Sequence, residues 1–321
     1  MPHTPDSEGT SPCSPRRLDL YSISRLEQLL GLDRQYIRAL AASAGSYYSP
    51  FPKPNRPKPF QRNIKPAKVR IIDNPSEELK AVQSLIAERL LKPLGLPAHI
   101  CGGVKGKSVL DNVALHLGAK VLVKIDIARF FPSISNRHVY MVWRDLLGCS
   151  PPISGLLTQL TTFERHLPQG APSSTIIANL VLYSCDGPIR AECKRLGIRY
   201  SSWVDDLAFS SEDSRPVINL VVATLQKNGF RISRKKLEII SPGARKVLNG
   251  VLLGRRVSVP PDRLARIRSG IHKLRQGHVP VENMVRYVQG LRGSVAHIAT
   301  VNATKAERLK KDLEFAISHH C

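Results

Sequence analysis

Trp203-Val204-Asp205-Asp206 sets two adjacent carboxylates between apolar, β-favouring runs. Ile198 and Tyr200 precede it and Leu207 and Phe209 follow it, a period-two pattern that predicts two strands meeting at an acidic turn. Like charges this close repel unless a cation compensates them. Taken alone, the pair also reads as a solvated turn, because Asp is an ordinary turn residue. A third carboxylate shifts that balance. Asp126 ends Val121-Leu122-Val123-Lys124-Ile125, a nearly continuous apolar strand, where an acid is costly unless it pairs or coordinates something. Neighbouring strands lie about 4.8 Å apart, so in one sheet Asp126 and Asp205 would come within shared reach of metal ions. Carboxylate-rich ligation without histidine favours Mg²⁺ over zinc. Two such ions about 4 Å apart can activate a 3′-hydroxyl and stabilise a leaving pyrophosphate in an in-line displacement.

The elements that must position these acids follow in order. Residues 1 to about 17 are rich in Pro, Ser and Thr and predict a disordered tail. Leu26, Leu29 and Leu30, stopped by Gly31, and then Tyr36, Ile37 and Leu40 predict two short helices. Pro50 to Pro66 is dense in Pro, Lys and Arg and predicts an extended basic loop, either a solvated linker or a contact surface. Val69-Arg70-Ile71-Ile72 predicts a strand, and Leu79, Val82, Ile86 and Leu90 an amphipathic helix. Gly102, Gly103 and Gly106 with Lys105 and Lys107 form a flexible cationic loop that matches no Walker motif. Asn112 and His116 lie one turn apart on the next helix, as a structural polar pair on one face.

Leu167-Pro168-Gln169-Gly170-Ala171-Pro172-Ser173-Ser174 is a Pro/Gly loop opening onto an apolar helix, a setting that suits close approach of a phosphate or base pair. After the acidic turn come a helix ended by Gly229, Ile232 and Lys235-Lys236 leading into a strand at Leu237-Glu238-Ile239-Ile240, a single strand Val247 to Leu253, and three helices near 261–275, 281–297 and 304–318. Residues 255–321 carry 13 Lys/Arg against 5 Asp/Glu.

The whole chain supplies the electrostatic half of the reading. Its 321 residues, 42% hydrophobic, can bury a core, and a net charge of +23 calls for a polyanionic partner. Nucleic acid leads, because basic side chains that neutralise phosphates release counterions. A membrane surface is the rival, but no run of about 18 apolar residues is present. No membrane partner is therefore expected. The six cysteines form no C-x-x-C pair and no secretory leader opens the chain, so a cytoplasmic protein without zinc is expected.

The order of these features resembles the palm of reverse transcriptases. Asp126-Ile127-Ala128-Arg129-Phe130-Phe131 matches motif A, Leu167 to Ser174 motif B, and Trp203 to Asp206 motif C. Gly229-Phe230 with Lys235-Lys236 resembles motif D, and Val247 to Leu253 motif E. Within that superfamily the chain is most similar to the bacterial retron type. Arg70-Ile71 with Pro75, Asn112-Val113-Ala114-Leu115-His116, the P-Q-G-A-P-S-S loop and Leu291-Arg292-Gly293 carry that likeness, which spans roughly residues 23–305. Four positions depart from the pattern. Trp203 replaces the usual Tyr, Val113 an Ala, Leu248-Asn249-Gly250 a V-T-G signature, and Ser174-Thr175 a Ser-Pro.

The resemblance implies an α+β right-hand polymerase with fingers, an antiparallel palm and a helical thumb. Residues 18–118 would supply N-terminal helices and fingers, 119–254 the palm with fingers elements, and 255–321 the basic thumb. Asp126 and Asp205 would be the principal metal ligands, with Asp206 supporting and the Ile127 carbonyl adding to the set for two Mg²⁺ ions. Lys68 and Arg70 would grip the triphosphate, Phe131 would exclude a 2′-hydroxyl, Gln169 and Gly170 would meet the nascent base pair, and Lys236 would lie near the leaving group. Asn112, His116, Arg266 and Arg292 would contact RNA. The implied activity is RNA-directed DNA synthesis from dNTPs on a non-coding RNA that serves as template and primer and stays with its cDNA. An anti-phage role with an accessory effector protein goes with it. Since no maturase-like extension follows about residue 320, a complete group II intron protein is not expected. The alternatives are another defence-associated, diversity-generating or intron-derived reverse transcriptase, and a non-catalytic RNA-binding scaffold.

Overall fold

A computed structural model describes residues 14–54 and 69–319 of the chain. Its centre is a four-stranded antiparallel sheet. Among the described residues eight strands occur in chain order: β1 (Tyr48–Pro54), β2 (Val69–Pro75), β3 (Val121–Asp126), β4 (Arg199–Trp203), β5 (Asp206–Ser211), β6 (Glu238–Ile240), β7 (Lys246–Leu248) and β8 (Val251–Leu253). The central sheet has the order β4-β5-β3-β6, while β1–β2 and β7–β8 are separate two-stranded ribbons.

Alternation gives the central sheet two unlike faces. Val121, Val123 and Ile125 of β3, with Leu207 and Phe209 of β5, enter the main core beside Ile177, Leu180 and Val181 of the helix Ser174–Cys185. Full burial of each such side chain is worth about 1.5–3 kcal/mol, so a one-residue slip of register would be heavily penalised. The opposite face carries Leu122 and Ala208 under the β7–β8 ribbon, and then, at the strand ends, Asp126 and Asp206. Helices Pro261–Arg275, Val281–Val301 and Ala303–Ser318 build a second core of their own around Ile271, Leu291, Ile298 and Leu313. Together these layers make the mixed helix-and-sheet right-hand arrangement.

Three expectations need correction. Residues as early as 14–17 are not loose, since Pro15 is buried and the Arg16 N–H donates to the Leu94 carbonyl at 2.9 Å. Residues 48–54 form β1 rather than a loop, paired along their length with β2. Pro50, Pro52 and Pro54 alternate, so their missing N–H groups all fall on one side of the strand, which a two-stranded ribbon can leave unpartnered. Finally, Val247 to Leu253 is not one strand but a tight hairpin. Asn249 (φ 47°) and Gly250 (φ 77°) turn it, as Asn-Gly does in two-residue hairpin loops.

Candidate active site

Asp126 stands directly opposite Asp206 across the β3–β5 pair. Trp203 pairs with Asp206, so Val204 and Asp205 are the two residues of the turn. Val204 has φ 59°, a conformation that a β-branched side chain rarely adopts. Such strain persists only where surrounding contacts over-determine it, and here they do. The Ile127 N–H donates to the Asp205 carbonyl at 2.9 Å. Behind the turn, the Ser202 N–H donates to the His99 carbonyl (2.8 Å) and the Cys101 N–H to the Ser202 carbonyl (2.9 Å). Asn179, from the helix after the P-Q-G loop, holds the Gly102 carbonyl at 2.8 Å. Gly102 is therefore no flexible phosphate loop. A Cβ there would stand 2.6 Å from the Val204 nitrogen, so only glycine lets the two backbones meet.

The acids sit in an electrostatic field that wants a cation. Burial, then the charge of Asp126, holds the Asp205 carboxyl above its usual range, with Lys236 and Arg70 pulling the other way. Asp206, at the mouth of the cleft, is pushed up to about 6 by desolvation and by Asp205 and Asp126. The Lys236 ammonium hydrogen-bonds the Asp126 carboxylate. Burial disfavours that ammonium, and the bond to Asp126 with the charges of Asp205 and Asp206 outweighs the penalty and raises it. A cleft of about 230 Å³ opens here, lined by Lys124, Asp126, Asp206, Lys236, Glu238 and Asn249 among others.

Among the described residues no three His, Cys, Asp or Glu side chains close a ready-made metal cage. The donor set still fits a hard divalent cation. It offers carboxylate oxygens whose mutual repulsion Lys236, Arg70 and Lys124 offset only in part, and Mg²⁺ sites of this kind keep water and substrate phosphates in the remaining positions.

Of the other expected residues, the structure brings Lys236 and Arg70 to the three acids. Arg70 of β2 is close enough to act on Asp205. Phe131, half-buried five positions after Asp126, packs edge-on to the buried Phe130, with centroids 6.1 Å apart. Gln169 is tied to β2 through Asp73, whose carboxylate accepts the Gln169 N–H at 3.0 Å. Lys68 lies outside the described residues.

Asn112 and His116 go elsewhere. His116 is fully buried, bonded at 2.7 Å to Ser210 and to Ser201, and desolvation holds it down to about 4. Asn112 is buried too and donates to the Asn249 side chain at 2.6 Å. Both side chains tie the palm together and present nothing to RNA. Arg266 and Arg292 are exposed on the helical domain, paired with Asp262 and Glu314. Asp73 and Gly102 were not legible as site residues. An acid directly after Ile71-Ile72 and a Gly-Gly pair were the available signals.

Comparison with known proteins gives the family. The family model described as reverse transcriptase (RNA-dependent DNA polymerase) matches residues 51–276. The chain is similar to the retron Ec86 reverse transcriptase of Escherichia coli, at 29% identity over 75% of this chain and 75% of that protein. It is also similar to the retron Se72 reverse transcriptase of Salmonella heidelberg, at 28% over 68% of this chain and 57% of that one. The retron Mx162 reverse transcriptase of Myxococcus xanthus follows at 29%, over 74% and 56%. The chain thus spans three quarters of the first relative and a little over half of the other two.

Proposed function

The chain belongs to the reverse transcriptase (RNA-dependent DNA polymerase) family, and we propose that it is a retron-type enzyme copying a cognate non-coding RNA into DNA. The observation that carries this reading is Asp126 facing Asp206 across β3–β5, beside a strained turn that presents Asp205. Asp126, Asp205 and Asp206 would hold two Mg²⁺ ions, which supply the positive charge that a 3′-hydroxyl nucleophile and a departing pyrophosphate require. The protein's own residues do the rest. Arg70 and Lys236 bring cations to the triphosphate side, and Gln169 and Gly170 lie where a nascent base pair would rest. The Phe131 ring closes the space that a 2′-hydroxyl would need. The helical domain, with 13 Lys/Arg against 5 Asp/Glu in residues 255–321, receives the duplex.

The similarity to retron reverse transcriptases supports an RNA partner that is both template and primer, with the cDNA remaining attached. We extend this reading to a role in anti-phage defence with an effector protein. The decisive experiment incubates purified protein and its co-purifying RNA with dNTPs and Mg²⁺. A cDNA of one defined sequence, covalently joined to RNA, is expected, and Asp205→Ala with Asp206→Ala abolishes it. Undiminished synthesis by that double variant would sink the site assignment. Heterogeneous cDNA in the wild type would move the chain to another reverse transcriptase class.

A further inference from the structure

Between helix Pro151–Thr161 and helix Ser174–Cys185 the chain makes a tight β-turn that the polymerase reading does not use. Phe163 and His166 exchange backbone hydrogen bonds of 2.9 and 2.8 Å. Glu164 and Arg165 between them both have left-handed φ, 43° and 65°. Asn-Gly ordinarily supplies that conformation, and two bulkier residues hold it against their preference. Strain of this kind survives where the ends of the turn are gripped.

Both ends are gripped, and by the same partner. At one end the Phe163 ring stacks on Tyr48, the first residue of β1, with centroids 4.3 Å apart. Gln83, itself buried, donates to the Tyr48 hydroxyl at 2.8 Å. At the other end His166 Nε2 lies 3.1 Å from Asp73 Oδ2, near the end of β2. The same Asp73 oxygen accepts the Gln169 N–H, and the Asp73 N–H donates to the Gln169 carbonyl at 3.1 Å. Asp73 is buried, so its carboxylate has little water to fall back on. Gly170 packs so closely that a Cβ would stand 3.0 Å from the Asp73 carbonyl. One strained turn therefore holds both strands of the β1–β2 ribbon at their base and joins them to the P-Q-G loop. Arg70 rides on that ribbon three residues before Asp73.

We propose that Asp73 and His166 are positioning residues forming a clasp. It fixes the height of the β1–β2 ribbon above Gln169 and Gly170 and so sets affinity for the incoming nucleotide rather than the rate of chemistry. The inference rests on the polymerase reading. Its test is single-nucleotide extension of a fixed primer–template, with an unfolding midpoint recorded for every variant. Asp73→Ala is expected to raise KM for the dNTP about tenfold, the scale of a lost buried charge-assisted hydrogen bond. In the same variant kcat stays within about twofold, and primer–template affinity is unchanged. His166→Ala moves KM the same way, and the double variant is no worse than Asp73→Ala, because both changes open one clasp. His166→Gln, whose amide can donate to Asp73, recovers most of the loss.

A fall in kcat at constant KM would overturn the proposal. So would additive effects, or His166→Gln as impaired as His166→Ala at an unaltered unfolding midpoint. Should Asp73→Ala not fold, the two His166 variants decide. A wild-type protein that extends nothing overturns the polymerase reading and the clasp with it. A wild type that extends normally, with variants that match it, overturns the clasp alone.

Discussion

His116 shows how a residue of apparent chemical promise can be spent on structure. Its ring is fully buried between Ser201 and Ser210, bridging β4 and β5 on the same sheet face as Ala208 and Asp206. Desolvation, helped by the Arg199 charge, lowers it from 6.5 to about 4. The folded protein therefore refuses a proton that the unfolded chain accepts. The stability contributed by the neutral ring is complete above the unfolded value and is lost as pH falls from 6.5 toward about 4. Between about pH 7 and about pH 5 this one group should remove about 2 kcal/mol. Urea unfolding of wild type and His116→Gln at both pH values checks it. The variant should be weaker at neutral pH and should lose less on acidification. Equal acid sensitivity in the two proteins would mean the ring is not held neutral. The acids proposed as metal ligands attract notice in the sequence for the opposite reason. Asp126 breaks an apolar strand and Asp205-Asp206 break an alternating one, so each contradicts its surroundings in a way that burial alone cannot explain.

At the scale of elements, what could be read from sequence followed periodicity. Strands β3, β4 and β5 and the three C-terminal helices emerge from their apolar spacing, because each buries one face against a large core. Where an element is held by backbone rather than side chains, the spacing is silent. Strand β1 hides behind its prolines, the β7–β8 turn interrupts a run that looks continuous, and the 99–102 segment joins β4 through main-chain bonds at Ser202, with the His99 ring against Tyr200. The last of these is where a single methyl group should matter most. At Gly102 a Cβ would meet backbone of Trp203 and Val204 at 2.8 and 2.6 Å, so the acidic turn must shift to admit it. Misplacing reacting groups by an ångström costs up to about a hundredfold. Gly102→Ala is accordingly expected to slow single-turnover incorporation by about ten- to a hundredfold. Gly155→Ala is the contrast. That glycine lies in the helix Pro151–Thr161, where an added methyl would find nothing within 4 Å. The variant should keep full activity and gain about 0.5–1 kcal/mol of stability. Equal rates for the two variants would remove the backbone contact from the account of the turn.

For the whole molecule the governing quantities are charge and the division of the core. The C-terminal helices pack around their own cluster, and the β7–β8 ribbon, with Val301 against it, lies between them and the palm. A domain with an independent core can adjust to a duplex without disturbing Asp126 and Asp206. On the proposed function its grip on that duplex is electrostatic, since residues 255–321 carry 13 Lys/Arg against 5 Asp/Glu. Counterion release makes log K fall linearly with log salt, by about 0.7–0.9 for each phosphate neutralised. Arg266 and Arg292 are exposed but partly satisfied in the free protein, by Asp262 at 3.1 Å and Glu314 at 3.3 Å. Alanine at either position should weaken primer–template binding alike for unrelated sequences and flatten the salt slope by somewhat under one unit. Glu314→Gln should do the reverse, since it releases Arg292 from a competing carboxylate and leaves the fold intact. Titrating a labelled duplex at several salt concentrations separates these effects. A Glu314→Gln protein that binds no more tightly than wild type would mean Arg292 faces away from the nucleic acid, and the phosphate contacts would have to be sought on another face of the three helices.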